Sequence, residues 1–586
     1  MSHELGTLAR TMPARYINSV LEVLTSPRRT LVLIFCAFGL SSLYVLSTFA
    51  IPFLLGAGPF WANPQGPWLR DAADSISNSD VLNLQIGYVA FLHTNWHVPV
   101  FLVHNIGPPP GTNIIFLDAI PAVALLGKLA AGLTGGEINP YGMWVAACFI
   151  LSAIFATLLV VEAGQRSLLA AAAASVLVVT APPLLHRFGH LSLMAHFLVI
   201  GALFFYLLDR RIPAFRSTCG RWTGMLGIAA LVHIYILAMA GAIYGASFAR
   251  RWRASAYSFR ATGEPFAVLS GLAALMLIAG HFGPGTGTDP SARGFGQYSM
   301  NLASPFWPQR SGLFPGFSAI LDATTGQYEG FNYLGFGALI IVVLGVSLNL
   351  GQLRTKIVEH WEFCGVLGAF FLFALSNRIF LGNLKLLDLD YSGRLDQMLG
   401  VFRSSGRMFW PVFYAVLLFG LIGLLRRLSP GTQTVLVMVC CFLQLLDTDP
   451  LRARLALLTS TGTPSLLDRS QWEARMAQAA RVEIDPPYQC KDGADGAAQM
   501  HLQLAAVRVN RPINSVYNAR LRVDPDDCRV AGAAARHGPW RDDTLYVFLT
   551  GVPNGPPSGW VAPRRFCHAF PLGEWCLGPA GAPGDR

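Results

Sequence analysis

The chain has 586 residues, of which 53% are hydrophobic and only 13% are charged, and its mean hydropathy is +0.45. Soluble globular proteins carry roughly 25% charged residues, so a chain made only of water-soluble domains is excluded. The formal net charge of +10 does not indicate a nucleic-acid-binding protein, because the basic residues form short clusters between apolar runs. Such clusters are typical of the cytoplasmic loops of membrane proteins.

The first apolar run, Leu31–Leu55, is long enough to cross a bilayer, which needs about 20 apolar residues. Basic residues directly before it predict that residues 1–30 form a cytoplasmic segment. Residues 56–140 then form a large outer loop. Within this loop the run Ala119–Leu133 is interpreted as a helix on the outer surface, because a span there would place the basic cluster Arg210–Arg221 outside.

The segment Trp222–Ala249 has basic clusters at both ends. This favours two short half-helices that meet at His233 over a single span. Together with outer loops at 283–333 and 377–408, the pattern predicts an α-helical polytopic domain over residues 31–449, with about ten to twelve membrane helices including the half-helices. The further predicted spans are Tyr141–Val161, Leu168–Pro183, Leu191–Leu208, Phe266–Phe282, Leu334–Leu350, Cys364–Ser376, Phe409–Leu425 and Val435–Leu446.

Residues 450–586 are more polar and predict a periplasmic α/β domain. Strand-like runs at Val482–Ile484 and Thr544–Thr550 accompany helix-like runs at Gln471–Ala480 and Ala497–Val507. Four cysteines in this tail indicate disulfides and an oxidising compartment. Four cysteines allow three connectivities, and proximity in the sequence favours Cys490–Cys528 and Cys567–Cys576.

Polar and ionisable residues near a membrane are costly and are therefore candidates for function. In the predicted topology they collect on the outer face, at Asp80, His93, Asp118, His186, His190, His233, Tyr235, Glu329, Arg403 and Arg407. For a single histidine near a helix end, the alternative is an interfacial hydrogen-bonding role. No P-loop, dinucleotide-binding glycine pattern, nucleophile elbow or HExxH helix is found in the sequence.

Arg403 and Arg407 flank a Ser-Ser-Gly turn at the outer start of a predicted span. Arginine makes bidentate contacts to phosphate that lysine cannot match. The pair therefore predicts a phosphate-binding site. The alternative is that both side chains extend to the lipid head groups.

Several segments carry a resemblance to a known family. Ser79-Asp80-Val81 precedes the helix-forming run Ile86–Phe91 and the aromatic-proline element Asn95–Pro99, and the loop closes with Asp118-Ala119-Ile120-Pro121. With the paired half-helices, this arrangement resembles the GT-C superfamily of membrane glycosyltransferases, such as lipid A aminoarabinose transferases and protein O-mannosyltransferases. The resemblance is architectural and covers roughly Leu31 to Ala249. Segments Gln327–Gly335 and Phe402–Trp410 look like those of an uncharacterised bacterial branch of such proteins.

The resemblance implies an inverting glycosyltransferase in a bacterial inner membrane. It would move a sugar from a polyprenyl-phosphate donor to a glycan, lipid or protein acceptor at the periplasmic face. Asp80 matches the family's catalytic acidic position and would act as general base, and Arg403 and Arg407 would bind the donor phosphate. The expected substrate-binding residues are Asp118, His93, His186, His190, His233, Tyr235 and Glu329.

The chain departs from the family at one point. The family's acidic motif is often doubled, whereas Asp80 is followed by Val81. A divalent cation (Mg or Mn) is therefore compatible with the sequence but not required by it, and no metal ligand is assigned.

The alternative function is a non-enzymatic one. The chain would then be a lipid- or polysaccharide-binding protein, or a scaffold in an envelope-assembly complex, with the tail as docking domain. The two hypotheses differ in geometry, because only the enzyme requires Asp80, His233 and the arginines to converge on one cavity.

Overall fold

The structure is a computed structural model, and it describes residues 14–62, 80–211, 215–254, 259–282, 294–317, 319, 321–389, 398–461, 467–490, 497–518, 525–538, 540–550, 555–556 and 567–577. Helices dominate the part before residue 461. They are Ala14–Thr48, Ile51–Leu54, Pro59–Ala62, Asp80–His93, Pro121–Thr134, Tyr141–Glu162, Leu168–Val179, Pro182–His186, His196–Leu208, Phe215–Val232, Ile234–Ala254, Phe259–Ala279, Phe336–Ser347, Leu350–Glu359, Trp361–Leu375, Trp410–Arg427 and Pro430–Ser460.

Six helical segments among the described residues are long and apolar enough to cross a membrane. A seventh candidate is the pair Phe336–Ser347 and Leu350–Glu359, whose axes are bent by 85°. The chain is therefore a mostly helical protein with the helices of a multi-pass membrane protein. The six segments are Arg28–Thr48, Tyr141–Glu162, Leu168–Gly189, Leu191–Leu208, Ser405–Arg427 and Pro430–Ser460.

Two helices extend past the predicted domain boundaries, which stay predictions. The first helix already begins at Ala14, inside the segment predicted to precede the membrane domain. The last helix runs from Pro430 to Ser460, past the predicted domain boundary at residue 449. The polar residues after Leu446 do not end this helix, because Asp447 is buried and accepts hydrogen bonds from the Ser311 hydroxyl and, at 2.7 Å, from the Phe336 amide.

The chain breaks its helix at His233, the predicted position, but the two helices are longer than the predicted half-helices. Phe215–Val232 has 18 residues and Ile234–Ala254 has 21. At the break, the backbone N–H of Tyr235 donates to Nδ1 of His233 at 3.1 Å. The imidazole thus caps the start of the second helix and is fixed in orientation.

The helix ends define two opposite faces of the bundle. On the face that we call the basic face, Arg426 donates to the carbonyl of Ala163 at 2.6 Å and Arg253 pairs with Glu362 at 2.7 Å. On the other, which we call the site face, Tyr141 donates to the carbonyl of Ala119 at 2.6 Å. Asp80, Asp118, His190 and Arg407 belong to the site face, as the next subsection describes.

Two small hairpins belong to the membrane domain, β1 (Leu102–Val103) with β2 (Thr112–Asn113), and β3 (Arg378–Leu381) with β4 (Leu384–Asp388). After residue 461 the chain forms helices Arg469–Ala477, Ala497–Arg508 and Pro525–His537 and a four-stranded sheet of order β5-β6-β8-β7. The strands are β5 (Arg481–Asp485), β6 (Thr544–Leu549), β7 (Cys567–Phe570) and β8 (Gly573–Leu577), with β5 parallel to β6 and the other pairs antiparallel.

All four runs proposed for the tail coincide with helices or strands of the expected type, whereas Pro525–His537 and β7 and β8 had no counterpart in the sequence pattern. Cys490 is bonded to Cys528, and Cys567 to Cys576. The first bond ties helix Pro525–His537 to the segment after β5, and the second joins β7 to β8.

This C-terminal domain rests on the site face. Helix Ala497–Arg508 packs along helix Asp80–His93. The backbone of Ile513 accepts from the N–H of Gly107 at 2.9 Å and donates to the carbonyl of Asn105 at 3.1 Å. These contacts place the domain over the region where Asp80 begins its helix.

Candidate functional site

Asp80 is the first residue of a helix that is buried almost throughout. All residues from Asp80 to Phe91 are buried, because the helix lies between the membrane domain and the C-terminal domain. A carboxylate is favoured at a helix N-terminus by the helix dipole, but burial opposes ionisation. The helix therefore holds Asp80 rigidly in a place where its charge depends on its neighbours.

His190 lies between two carboxylates. Its Nε2 is 3.0 Å from Oδ2 of Asp80, and its Nδ1 is 3.5 Å from Oδ2 of Asp118. His190 occupies the irregular turn between the candidate spans Leu168–Gly189 and Leu191–Leu208, where the chain reverses direction. The three residues form the centre of the site, which we call the Asp80 cluster.

Asp118 is presented by a strained loop. It ends the 3₁₀ helix Ile114–Leu117 with φ +55°, and Ile120 follows with φ +49°. Left-handed backbone at a β-branched residue is rare and costs free energy, and such strain is concentrated at functional sites. The hydroxyl of Ser192 lies 3.5 Å from Oδ1 of Asp118 and helps to fix its direction.

His233 faces the same carboxylate from the helix break. Its Nε2 is 3.8 Å from Oδ1 of Asp118. Because its Nδ1 accepts the N–H of Tyr235, the hydrogen of the neutral ring resides on Nε2, directed towards Asp118. The break therefore places a donor on the far side of the Asp80 cluster.

A buried ion triad adjoins this cluster. Arg407 donates to both carboxylate oxygens of Glu329, at 2.9 and 2.8 Å, and Arg187 pairs with the same carboxylate and donates to the Glu329 carbonyl at 3.1 Å. All three side chains are buried. Two guanidiniums and one carboxylate leave a net positive charge of one beside the Asp80 cluster.

Two glycines allow the triad to form. The segments that carry Glu329 and Arg407 approach so closely that a Cβ on Gly406 would lie 2.5 Å from Cα of Gly330. Asn332 joins the two segments by donating to the carbonyl of Gly406 at 3.0 Å. The two segments that carry the sequence resemblance to a bacterial branch are therefore one packed unit.

Arg403 differs from Arg407. It is half-buried, and no hydrogen bond or ion pair joins it to a described residue. Its charge nevertheless acts on Asp80, Asp118 and Tyr517. Of the two arginines predicted to bind phosphate, Arg407 is engaged by Glu329, whereas Arg403 keeps its guanidinium available beside the cluster.

The C-terminal domain places two tyrosines near Asp80. The rings of Tyr488 and Tyr517 lie 4.8 Å apart, and both residues are within electrostatic range of Asp80. Burial, and next the charge of Asp80, raise the pKa of Tyr517 well above its usual value. Its hydroxyl therefore remains protonated and able to donate a hydrogen bond into the site.

The carboxylates of the site differ in their ionisation. Burial raises the pKa of Asp80 well above its usual value, and Asp118 and Glu329 raise it further, against weaker opposing charges of Arg407 and Arg403. Burial also raises the pKa of Asp118. Burial alone would raise the pKa of Glu329 too, but its arginine partners hold it well below the usual range. Glu329 is thus a permanent anion, whereas Asp80 is suited to accept a proton.

The Asp80 cluster could also hold a cation. One ligand atom from each of Asp80, Asp118 and His190 lies within 4.8 Å of the other two. The two carboxylates suit Mg²⁺ and Mn²⁺, and an imidazole is a further ligand for first-row divalent metals. The divalent cation considered from the sequence therefore fits these three residues, which the sequence alone did not assign as ligands.

Other predicted residues lie beside the cluster or away from it. His186 faces the carbonyl of Tyr328 at 3.1 Å, and the hydroxyl of Tyr235 accepts from the N–H of Ser404 at 2.9 Å. Both therefore hold backbone segments of the site in place. His93 lies apart from the Asp80 cluster: it ends the 14-residue helix that Asp80 begins, about 20 Å away at 1.5 Å per residue, and faces Glu137 at 3.6 Å. Its substrate-binding role stays a prediction.

Four residues of the site were not assigned a role from the sequence: Arg187, Ser192, Tyr488 and Tyr517. Arg187 could have been found, because it directly follows His186, a candidate site residue, and a buried arginine needs an acidic partner. The two tyrosines gave no signal, because their proximity to Asp80 depends on the docking of the C-terminal domain.

Comparison with known proteins gives a family but no activity. No curated protein matches the chain. A family model described as a domain of unknown function (DUF6311) matches residues 50–449, and the model of its C-terminal domain matches residues 471–566. The first match spans the Asp80 cluster and the ion triad, and the second includes Tyr488 and Tyr517. The chain belongs to the DUF6311 family.

Proposed function

We propose that the protein is a membrane glycosyltransferase that moves a sugar from a polyprenyl-phosphate donor to an envelope acceptor at the periplasmic face. The observation that carries the proposal is the convergence of Asp80 and Arg403. A buried carboxylate with a raised pKa and a half-buried guanidinium without a hydrogen-bond partner among the described residues lie within electrostatic range of each other. Glycosyl transfer from a lipid phosphate needs a proton acceptor for the attacking group and, close to it, a ligand for the leaving phosphate.

The chemistry follows from these roles. The acceptor oxygen attacks the anomeric carbon of the donor as the bond from that carbon to the phosphate oxygen breaks. Asp80 takes the acceptor's proton, and the electron pair of the broken bond remains on the leaving phosphate. A general base contributes on the order of 10²–10⁴-fold to rate. Arg403 stabilises the phosphate, where negative charge develops.

Neighbouring residues keep Asp80 in its reactive state. His190 holds the carboxylate from one side, and Asp118 keeps its pKa high. The triad of Arg187, Glu329 and Arg407 adds a positive field that favours an incoming anion. Attack on the face opposite the phosphate makes the proposed transfer an inverting one.

The position of the site supports a reaction at the membrane surface. His190 lies between two candidate spans and Arg407 in the first turn of another, so both lie at the ends of apolar helices. The basic face lies at the other ends. By the positive-inside rule we assign the basic face to the cytoplasm, and the site face and the C-terminal domain to the periplasm of an inner membrane.

The same assignment favours a larger membrane domain than the six candidate spans. We propose that five further helices also cross the membrane, which would give eleven crossings among the described residues, six of which meet the length and hydropathy expected of a span. For example, helix Phe259–Ala279 has Glu264 paired with Arg251 on the basic face, while its Ala279 carbonyl accepts from Asn113 at 3.0 Å on the site face. The five are Phe215–Val232, Ile234–Ala254, Phe259–Ala279, Phe336–Ser347 and Trp361–Leu375.

The test is transfer by purified protein in liposomes supplied with radiolabelled polyprenyl-phosphate sugars. Wild type should consume one of these donors, and Asp80→Asn should lose at least 100-fold of the rate. Asp468→Asn is the matched control, since Asp468 caps another helix but is exposed in the C-terminal domain. Full activity of the folded Asp80→Asn protein would remove the assigned base. Absence of transfer with every donor would favour the non-enzymatic alternative.

A further inference from the structure

A cavity of about 350 Å³ opens at the basic face, at the opposite ends of the helices from Asp80. This volume is within the range of small-molecule sites, roughly 300–1,000 Å³. Its walls come from the ends of helices His196–Leu208, Phe336–Ser347, Trp361–Leu375 and Trp410–Arg427, and from helix Leu350–Glu359.

Helix Leu350–Glu359 gives the cavity an amphipathic wall. The bend of 85° after Ser347 turns this helix across the end of the bundle. Leu353 and Ile357 line the cavity, yet they are 43% and 45% exposed. A helix that presents apolar side chains beside charged ones at the end of a membrane bundle is typical of the membrane interface.

The charged groups of the cavity are all basic. Arg210, Lys356 and Arg426 line it, and no acidic side chain does so among the described residues. Arg426 uses one N–H on the carbonyl of Ala163 at 2.6 Å, and Lys356 pairs at 2.6 Å with Glu359, which lies outside the lining. The cavity therefore combines a positive rim with an apolar interior.

A fourth cation increases this positive charge. Arg250 lies over the ring of Tyr206, with its guanidinium carbon 5.5 Å from the ring centre, and its Nη1 is buried without a hydrogen-bond partner among the described residues. Burial, and next the charge of Arg250, lower the pKa of Arg210, and the charges of Glu162 and Glu359 offset this only in part. The cations are thus crowded, and an anion placed among them would be stabilised.

We propose that this cavity binds a phospholipid with an anionic phosphate head group, taken from the leaflet at the basic face. The phosphate lies among Arg210, Lys356 and Arg426, and an acyl chain lies along Leu353, Ile357 and Phe419. A phospholipid fits both the positive rim and the apolar interior of the cavity. Its phosphate carries negative charge, and its acyl chain is apolar.

The site is separate from the one proposed for sugar transfer. The two lie at opposite ends of helices that are long enough to cross a hydrocarbon core of about 30 Å. A lipid held at the basic face cannot place its phosphate beside Asp80. The inference therefore stands whether or not the protein transfers sugar.

The experiment compares lipids on the purified full chain in detergent. Phosphatidylglycerol should raise the thermal unfolding midpoint, whereas phosphatidylcholine with the same acyl chains should not. Arg210→Gln and Lys356→Gln should each weaken the apparent affinity for phosphatidylglycerol about fivefold, as expected for one lost cation. Lys385→Gln is the matched control, because Lys385 also pairs with a carboxylate three residues later but belongs to the β3–β4 hairpin.

A second pair of variants tests the apolar part. Val416→Trp fills the cavity and should abolish the lipid shift, while Val439→Trp, at an exposed position outside the lining, should retain it. Equal effects of the two lipids on wild type, or full shifts in both Lys356→Gln and Val416→Trp, would overturn the proposal. A shift with polyprenyl phosphate that exceeds the one with phosphatidylglycerol and is abolished in Val416→Trp would also overturn it, because this cavity would then hold a different lipid.

Discussion

The Nε2 atom of His190 lies 3.0 Å from Oδ2 of Asp80, although two candidate spans lie between these residues in the sequence. This contact restrains the carboxylate at the first turn of a buried helix. The contact makes His190 a positioning residue for Asp80.

Replacing His190 with glutamine should lower transfer by about 10–100-fold, because misplacement of a catalytic group by about 1 Å costs rates of that order. The loss should fall on the rate at saturating donor and leave the KM for donor within a few-fold. His104→Gln, at an exposed histidine, should behave as wild type. Unchanged turnover in His190→Gln would show that Asp80 does not need this partner.

Glu329 gives the membrane domain a pH dependence of known sign. Its pKa in the folded protein lies well below the usual value because Arg187 and Arg407 outweigh burial. A depressed pKa contributes stability above the unfolded pKa of about 4.3 and loses it as the pH falls towards the folded pKa. Thermal unfolding midpoints of wild type should therefore decrease below about pH 4.3.

In Glu329→Gln this part of the acid dependence should be absent. The variant should also be less stable at neutral pH by about 3–5 kcal/mol, since two buried guanidiniums lose their counter-charge. Parallel pH curves for the two proteins would contradict the triad.

Gly406 should not tolerate a side chain. The added methyl group of Gly406→Ala would lie 2.5 Å from Cα of Gly330, where only backbone could move. We expect a loss of about 1–3 kcal/mol in stability and weaker donor binding, since Arg403 and Arg407 share this segment. Gly368→Ala is the control, because its added methyl group would have no atom within 4 Å, and it should be neutral or slightly stabilising.

The two disulfides should differ in their effect on stability. Cys490–Cys528 closes a sequence separation of 38 residues and Cys567–Cys576 one of 9. Chain-entropy arguments give about 4 kcal/mol for the first and about 2.5 kcal/mol for the second. Protease resistance of the C-terminal domain should therefore decrease more in Cys490→Ser/Cys528→Ser than in Cys567→Ser/Cys576→Ser. The reverse order would mean that the longer loop is already constrained without its bond.

The face on which the site residues lie can be predicted from the sequence. The contacts between these residues cannot. Alternation of apolar runs and basic clusters is enough to place Asp80, Asp118 and His190 at one set of helix ends. It cannot tell that Arg403 and Arg407, four residues apart, have different partners, because this depends on a close approach of two glycines.

His93 shows a second limit of the sequence. It shares a helix with Asp80, but the rise of that helix carries it to the far end. Tyr517 shows a third, since it reaches the site only through the docking of a domain more than 400 residues further along the chain, and no local periodicity reports such contacts.

The central claim is that Asp80 and Arg403 serve one transfer reaction, Asp80 at the acceptor and Arg403 at the leaving phosphate, and binding of polyprenyl phosphate, the leaving product, tests the second role most directly. Wild type should bind this lipid, and Arg403→Ala should bind it about tenfold more weakly, as expected for one charge-assisted hydrogen bond. Asp80→Asn should bind it as tightly or more tightly, because one negative charge is removed from the site, even though transfer is lost. Equal affinity in wild type and Arg403→Ala, or weaker binding in Asp80→Asn, would contradict the account.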